Sequence, residues 1–289
     1  MLLLADARAG ARNFPASISK THPDFALLDR LRASIIDSAG GEKRLVDALP
    51  SLLQGAIDFV LDPVRTARNA VSELDNVEKT FIGLKVEHFL RDFLNVPKGV
   101  RDLIINGTDV DVKNTVGRTW TIPPETYRNE EPCLLIAIAD NEKRFWLGLI
   151  VARDAYLGAK EGNRDGKRAI TSKGISNILW LVPGKALPPS RWRDVDLVRF
   201  RELRNLKGGT KRAVLFFSEN LNVPIHREII QTLLFDQLDY MKRLRDNGGA
   251  RTHLAKHGIP LLSSKYDRAK LMALDFNIAS ADFFVASKR

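Results

Sequence analysis

From Pro23 onward apolar residues recur at three- and four-residue steps. Phe25, Leu27, Leu28, Leu31, Ile35 and Ile36 form the first such run, closed by Gly40 and Gly41, and this spacing predicts an amphipathic helix. A second run, Leu45, Val46, Leu49, Leu52, Leu53, Ile57, Val60 and Leu61, has Pro50 inside it. The proline ring removes a backbone donor, so a kink or a split into two helices is expected there. Residues 1–21 show no such run and read as a flexible lead. A third helix is predicted from Val77 to Leu94, with Phe81, Ile82, Val86, Leu90, Phe93 and Leu94 inward. Glu87 borders that apolar stripe, four residues after Gly83.

Beyond this helix the period shortens to two. Asp102 to Ile105, Thr108 to Thr115, Cys133 to Ala139 and Phe145 to Val151 read as strands. The third is almost wholly apolar, as a central strand covered on both faces must be, which makes Cys133 a core residue. Helices before and after a small mixed sheet make residues 1–182 an α/β unit. Arg153 to Lys173, with Lys160, Arg164, Lys167, Arg168 and Lys173, reads as a basic loop. Residues 183–190, with Pro183, Gly184, Pro188 and Pro189, read as a linker.

Residues 191–289 then form a second domain. Arg212 to Phe217 reads as a strand, Val223 to Leu238 as a helix continued through Arg245, Arg251 to His257 as a short helix, and Ile259 to Leu262 as a small β element. Helix, turn, basic helix and β element are the ingredients of a winged helix-turn-helix, a set many helical domains share.

Charge sharpens this division. The chain of 289 residues carries a formal net charge of +10. From Arg191 to Arg289 there are 19 Lys and Arg against 11 Asp and Glu, while the remainder has 26 against 24. A basic excess concentrated in one third of the chain points to a polyanion-binding module there, with nucleic acid ahead of anionic membrane. The single cysteine excludes an intramolecular disulfide, and no apolar run approaches the length of a membrane span, so a cytoplasmic protein is expected.

Candidate chemistry lies in Asp109, Val110, Asp111, Val112 and Lys113. On a strand the three charged residues share one face and the valines the other. A phosphodiester resists hydroxide until its charge is neutralised; a divalent cation does this and acidifies a bound water. Mg²⁺ suits such a site, because a few carboxylates suffice and the ion keeps several waters. Asp102 begins the neighbouring strand, and Asn106-Gly107 supplies a tight turn that brings it opposite or nearly opposite Asp111. Asp109 is a rival, but the two-residue step to Lys113 favours Asp111. Glu87 comes from the preceding helix.

At these residues the chain resembles the PD-(D/E)xK nucleases, and more specifically the NaeI family of type II restriction endonucleases. Glu78, Lys79, Thr80, Gly83 and Glu87 look like that family's catalytic helix, and Val110, Asp111 and Lys113 like its metal strand. Trp120, Pro123, Pro124 and Glu125 follow in the same order, then Asn163, Arg164, Asp165, Lys167 and Arg168, then Met241, Lys242, Arg243, Arg245, Gly248, Gly249, Ala250 and Arg251. The chain departs at Val112, where the family has a cysteine, and at Pro63 and Ala67, which replace glycines.

The resemblance implies a restriction-endonuclease-like mixed β-sheet core and a C-terminal winged-helix-like DNA-binding domain. It also implies a homodimer, Mg²⁺ dependence, and engagement of two copies of double-stranded DNA, one cut and one acting as effector. Glu87, Asp102, Asp111 and Lys113 match its catalytic positions, with Glu87, Asp102 and Asp111 as metal ligands. Arg164, Lys167, Arg168, Lys242, Arg243, Arg245 and Arg251 are the expected DNA contacts. His253 and His257 could share a helix face, but no third zinc-type ligand is nearby. A P-loop, G-x-S-x-G and G-x-G-x-x-G are all missing from the sequence. Two other readings stay open: a DNA-binding protein with a vestigial nuclease core, and a strand-specific repair nickase.

Overall fold

The computed structural model describes residues 14, 17–159, 165–278 and 280–288. They divide into two compact units, one of the described residues up to 61 together with 70–189, the other of residues 62–69 together with 190 onward.

Three long helices open the first unit: α1 (Phe25–Ser38), α2 (Glu42–Leu61) and α3 (Asn76–Leu94). Pro50 does not split α2, which runs through it as one helix. A capping box starts α3: the Asp75 carboxylate accepts from Glu78 N at 2.8 Å and the Glu78 carboxylate accepts from Asp75 N at 3.0 Å. Two of the donors that a helix start leaves unpaired are thereby satisfied.

The sheet follows: β1 (Leu103–Ile105), β2 (Thr108–Thr115), β3 (Pro132–Ala139), β4 (Arg144–Val151) and β5 (Leu179–Ala186), side by side in chain order. All pairs are antiparallel except β2–β3, which is parallel. A parallel pair needs a crossover, here residues 116–131 with the short helix α4 (Pro124–Tyr127). The predicted central strand is β3, buried along its whole length. On one face of the sheet Val110, Val112, Leu134, Ile136, Leu147 and Leu149 form a core with the three helices. On the other, Cys133, Leu135, Ala137, Trp146 and Ile150 pack with Trp120, Tyr127 and Trp180.

Two expectations are corrected here. The lead predicted over residues 1–21 is anchored where it is described: Ile18 N donates to Ile178 O at 3.2 Å, and the Ser17 hydroxyl accepts from Trp180 N at 2.8 Å. Phe14 packs against Trp120, Trp146 and Trp180. A lone aromatic in a polar stretch gave no periodic signal of this. Pro183 and Gly184, assigned to the linker, lie inside β5; a sheet-edge position tolerates proline because no partner needs its missing N–H.

In the second unit, α5 (Leu197–Arg204) and α6 (Gly209–Glu219) precede β6 (Ile225–His226), α7 (Arg227–Leu233), a 3₁₀ turn (Tyr240–Leu244), α8 (Ala250–Ala255), β7 (Leu261–Ser263), α9 (Arg268–Ala273) and β8 (Phe283–Ala286). β8 is the middle strand, antiparallel to both β6 and β7. The strand predicted at Arg212 to Phe217 is instead the buried face of α6, where Arg212, Ala213, Phe216 and Phe217 repeat at helical spacing. The long helix predicted from Val223 is also shorter and is preceded by β6. Residues 62–69 belong to this unit, with Val64 and Ala67 packed on its core. Ala67 has φ +60°, a left-handed conformation natural to the glycine that the family resemblance places there and costly for alanine.

Candidate active site

The hairpin β1–β2 turns on Asn106 and Gly107, at φ +49° and +73°. Two consecutive positive angles make the tight hairpin turn that matches strand twist, and Asn-Gly is the pair best able to adopt it. The turn sets the register Ile105 to Thr108, Ile104 to Asp109 and Leu103 to Val110. One step further along the same register, Asp102 stands beside Asp111.

The sequence places Asp109, Asp111 and Lys113 on one half-exposed face, and the structure sets Asp109 apart from the other two. Asp109 is committed to the backbone, its carboxylate accepting from Arg101 N at 3.0 and 3.1 Å. That loop comes so close that a Cβ on Gly99 would sit 2.1 Å from Asp109 Oδ1. Asp111, by contrast, is only 3% exposed. The Lys113 ammonium pairs with its Oδ1, and the Thr126 hydroxyl donates to its Oδ2 at 2.6 Å. A buried carboxylate with a cation on one oxygen and a hydroxyl donor on the other is fixed in plane.

The Asp102 carboxylate accepts from Val112 N at 2.6 Å, so it bridges the mouth of the hairpin. Burial pushes its pKa up to about 7. The adjoining Asp111 carboxylate and the charge of Glu87 add to the rise, while the Val112 N–H opposes it. Glu87 reaches this corner from α3, one turn after Gly83, where a Cβ would lie 3.5 Å from Asn114 Cβ on β2. The carboxylate of Glu87 faces Arg91, at 3.4 Å. Among the described residues no three His, Cys, Asp or Glu side chains converge closely enough to hold an ion by themselves. Glu87 is near enough to the acidic pair for its charge to act on Asp102, and it shares its carboxylate with Arg91 on its own helix. Asp102 and Asp111 are a different matter. Two adjoining carboxylates, one raised in pKa by burial and further by its neighbour, are a donor set that a hard divalent cation relieves, and Mg²⁺ needs only one or two carboxylates beside its waters.

Sequence reasoning missed Thr126 and Arg101. The Arg101 guanidinium donates to Glu131 Oε2 at 2.6 Å, to Glu131 Oε1 at 3.1 Å and to Glu125 O at 2.9 Å. It straps the crossover segment to the residue just before Asp102. Thr126 adjoins Pro123, Pro124 and Glu125, the only sequence cue that this segment mattered.

The expected DNA contacts fare unequally. Arg168 is buried, its guanidinium paired with Asp154, donating to Gly158 O at 2.6 Å and lying over the Tyr127 ring. It fastens a loop and lies almost wholly buried. Lys167 is exposed and pairs with Asp165 at 2.9 Å. Arg164 lies outside the described residues. In the second unit Lys242 and Arg245 are exposed, Arg243 Nε donates to Gln237 at 2.6 Å, and Arg251 faces Asp267 at 3.3 Å. Arg245 and Arg251 also line an open cleft of about 440 Å³ with Arg227, Lys265 and Tyr266, three residues the charge count did not single out.

A mixed five-stranded sheet flanked by helices, carrying its acidic pair and lysine at the β1–β2 corner, defines a restriction-endonuclease-like fold. The family model described as "Restriction endonuclease NaeI" matches residues 43–287. The chain is also 30% identical over 256 residues to the type II restriction enzyme NaeI of Lentzea aerocolonigenes, covering 84% of this chain and 77% of that protein. The chain belongs to the NaeI family of type II restriction endonucleases, which are site-specific deoxyribonucleases. Among the described residues no helix is long and apolar enough to cross a membrane.

Proposed function

We propose that this protein is a Mg²⁺-dependent restriction endonuclease of the cytoplasm that hydrolyses both strands of double-stranded DNA at a short specific site. The observation that carries the reading is the buried Asp111, with Lys113 on one oxygen and Asp102 alongside, in a chain of this family. Asp102 and Asp111 would hold the ion, which supplies charge neutralisation at the scissile phosphate and an acidified water. Lys113 is placed to orient the attacking water and to stabilise its deprotonated form. Glu87 adds negative charge at the corner and, in the arrangement described, keeps Arg91 beside it.

The second unit is read as the DNA-binding, effector-site domain. Its order from α6 onward, helix, strand, helix, helix, strand, helix, strand, with β8 central, supports a winged helix in which α9 enlarges the wing between β7 and β8. Lys242, Arg245, Arg251, Arg227 and Lys265 would meet phosphates, and a second DNA copy would occupy this surface. Cutting both strands calls for two sites. The exposed apolar stripe Val77, Phe81 and Leu84 on α3, beside Phe59, supports self-association into a homodimer.

The test is incubation of Lys113→Ala and wild type with varied plasmids and Mg²⁺, with DNA binding followed separately in Ca²⁺. Loss of cleavage by about 10²–10⁴-fold with binding retained is expected. Wild type that binds without cutting would indicate a regulator, nicks without linear product a nickase, and a variant that cuts at the wild-type rate would remove Lys113 from the site.

A further inference from the structure

We propose that Thr126 is a positioning residue for the cation site: its hydroxyl fixes the plane of the Asp111 carboxylate and so sets how readily that carboxylate takes a divalent ion. The inference rests on the reading of Asp111 as a ligand.

A carboxylate can rotate about its Cβ–Cγ bond, and a lone lysine on one oxygen leaves that rotation open. Thr126 closes it from the other oxygen at 2.6 Å, the length of a charge-assisted O–H···O⁻ bond. Thr126 is the donor in this bond and the carboxylate oxygen the acceptor. The residue is fully buried, so water cannot take its place. Its own position is held by backbone bonds, Thr126 N to Pro123 O at 3.1 Å and Glu131 N to Thr126 O at 3.1 Å. The Arg101 guanidinium clamps both ends of the same segment, Glu125 and Glu131. That clamp begins one residue before Asp102, so a single rigid connection relates the two carboxylates, with Thr126 as its contact to Asp111. Without the hydroxyl, Asp111 Oδ2 loses its donor from the crossover segment, and the carboxylate is less constrained in its rotation. An entering ion must then reorganise it. Hydrogen bonds to metal-ligating groups are typically worth 10–100-fold in metal affinity.

The variants are Thr126→Val, which keeps the shape and removes the donor, and Thr126→Ser, which keeps the donor. In the full-length protein without DNA, the Mn²⁺ midpoint measured from the electron paramagnetic resonance of free Mn²⁺ is expected to rise about 10–100-fold for T126V. The Mg²⁺ midpoint for plasmid cleavage should rise by a similar factor, with the rate at saturating Mg²⁺ recovering to within a few-fold. T126S should restore both midpoints. If wild type binds Mn²⁺ and cleaves DNA but T126V has wild-type midpoints, the positioning role is wrong while the nuclease reading stands. If wild type itself neither binds Mn²⁺ nor cleaves, the nuclease reading is what fails. Equal losses in T126V and T126S, tracking a lowered melting temperature, would assign Thr126 to packing alone. Should T126V not fold, T126A carries the same comparison, and failure of both to fold also overturns the proposal in favour of packing.

Discussion

In the first unit Asp102, Asp111 and Glu87 act on one another across one corner of the sheet, with Asp111 nearly sealed from solvent. In the second, Arg227, Arg245, Arg251 and Lys265 ring an open cleft, and Arg251, Arg245 and Arg227 face Asp267, Asp239 and the Tyr240 hydroxyl respectively. Burying a carboxylate beside other acidic groups raises the energy of its charged form, and the raised pKa of Asp102 records chiefly the burial, with Asp111 and Glu87 adding to it. Spreading opposite charges over a wet surface costs almost nothing and contributes little to stability. A strained acidic cluster therefore points to a ligand that relieves it, whereas dispersed basic residues point to a partner met along an extended path. The two units should respond to mutation in correspondingly different ways.

The largest difference should come from neutralising the buried acid. Asp111→Asn keeps the Thr126 contact and the shape but removes the charge proposed to hold the ion, so cleavage should fall by at least about 10²-fold, with a melting temperature equal to or above that of wild type. Plasmid cleavage and thermal melts of the same preparation check both. A large stability loss would mean that the Lys113–Asp111 pair is a structural bridge and no site under strain.

An opposite pattern is expected from Arg212 in the second unit. It is 2% exposed, pairs with Asp236, and donates to Arg204 O at 3.3 Å and Leu206 O at 3.2 Å. Arg212→Met should lower stability by about 2 kcal/mol, because buried hydrogen bonds from a charged donor are lost and two carbonyls are left unpaired. Unchanged denaturant midpoints would show that those carbonyls find water instead. A smaller effect is expected from Lys265→Ala or Arg227→Ala. Each should make log K for DNA shallower against log salt by about 0.9 if the residue meets one phosphate. A slope identical to wild type would remove that residue from the binding path.

How much of this was legible beforehand depends on how local the cause is. Asn106-Gly107 with alternating residues on both sides specifies a hairpin within ten residues, so β1, β2 and the facing of Asp102 and Asp111 could be read from the sequence. The apolar run ending in Phe216 and Phe217 fits a strand or the buried face of a helix equally well, and only packing against the rest of its unit decides for α6. Thr126 meets Asp111 from fifteen residues further along the chain, out of the crossover, a contact no periodicity reports. Arg168 was miscounted as surface charge because a buried arginine and an exposed one look alike in composition; its partners, Asp154 and the carbonyls of Leu157 and Gly158, are local, but their convergence is not.

The finest test of the contrast between the units is the pH dependence of stability in metal-chelated protein. Asp102 has its folded pKa raised to about 7, above an ordinary value near 3.8. Between those values the folded state binds the extra proton, so the contribution of Asp102 is full below about 4 and is lost as pH rises through 7. His226 runs the other way. Burial, with the nearby Arg191 charge, lowers its pKa below 6.5, so its contribution is full above that value and is lost as pH falls through the folded pKa. Asp102→Asn should therefore melt progressively higher than wild type from pH 5 to pH 8. His226→Asn, which keeps an acceptor at the start of α7 where His226 Nδ1 receives Glu228 N at 3.3 Å, should gain on wild type only as the solution is acidified. Both differences should amount to a few degrees. Melting offsets that do not change with pH would show that neither side chain titrates across folding, and the crowded acidic corner would then lose its main sign of strain.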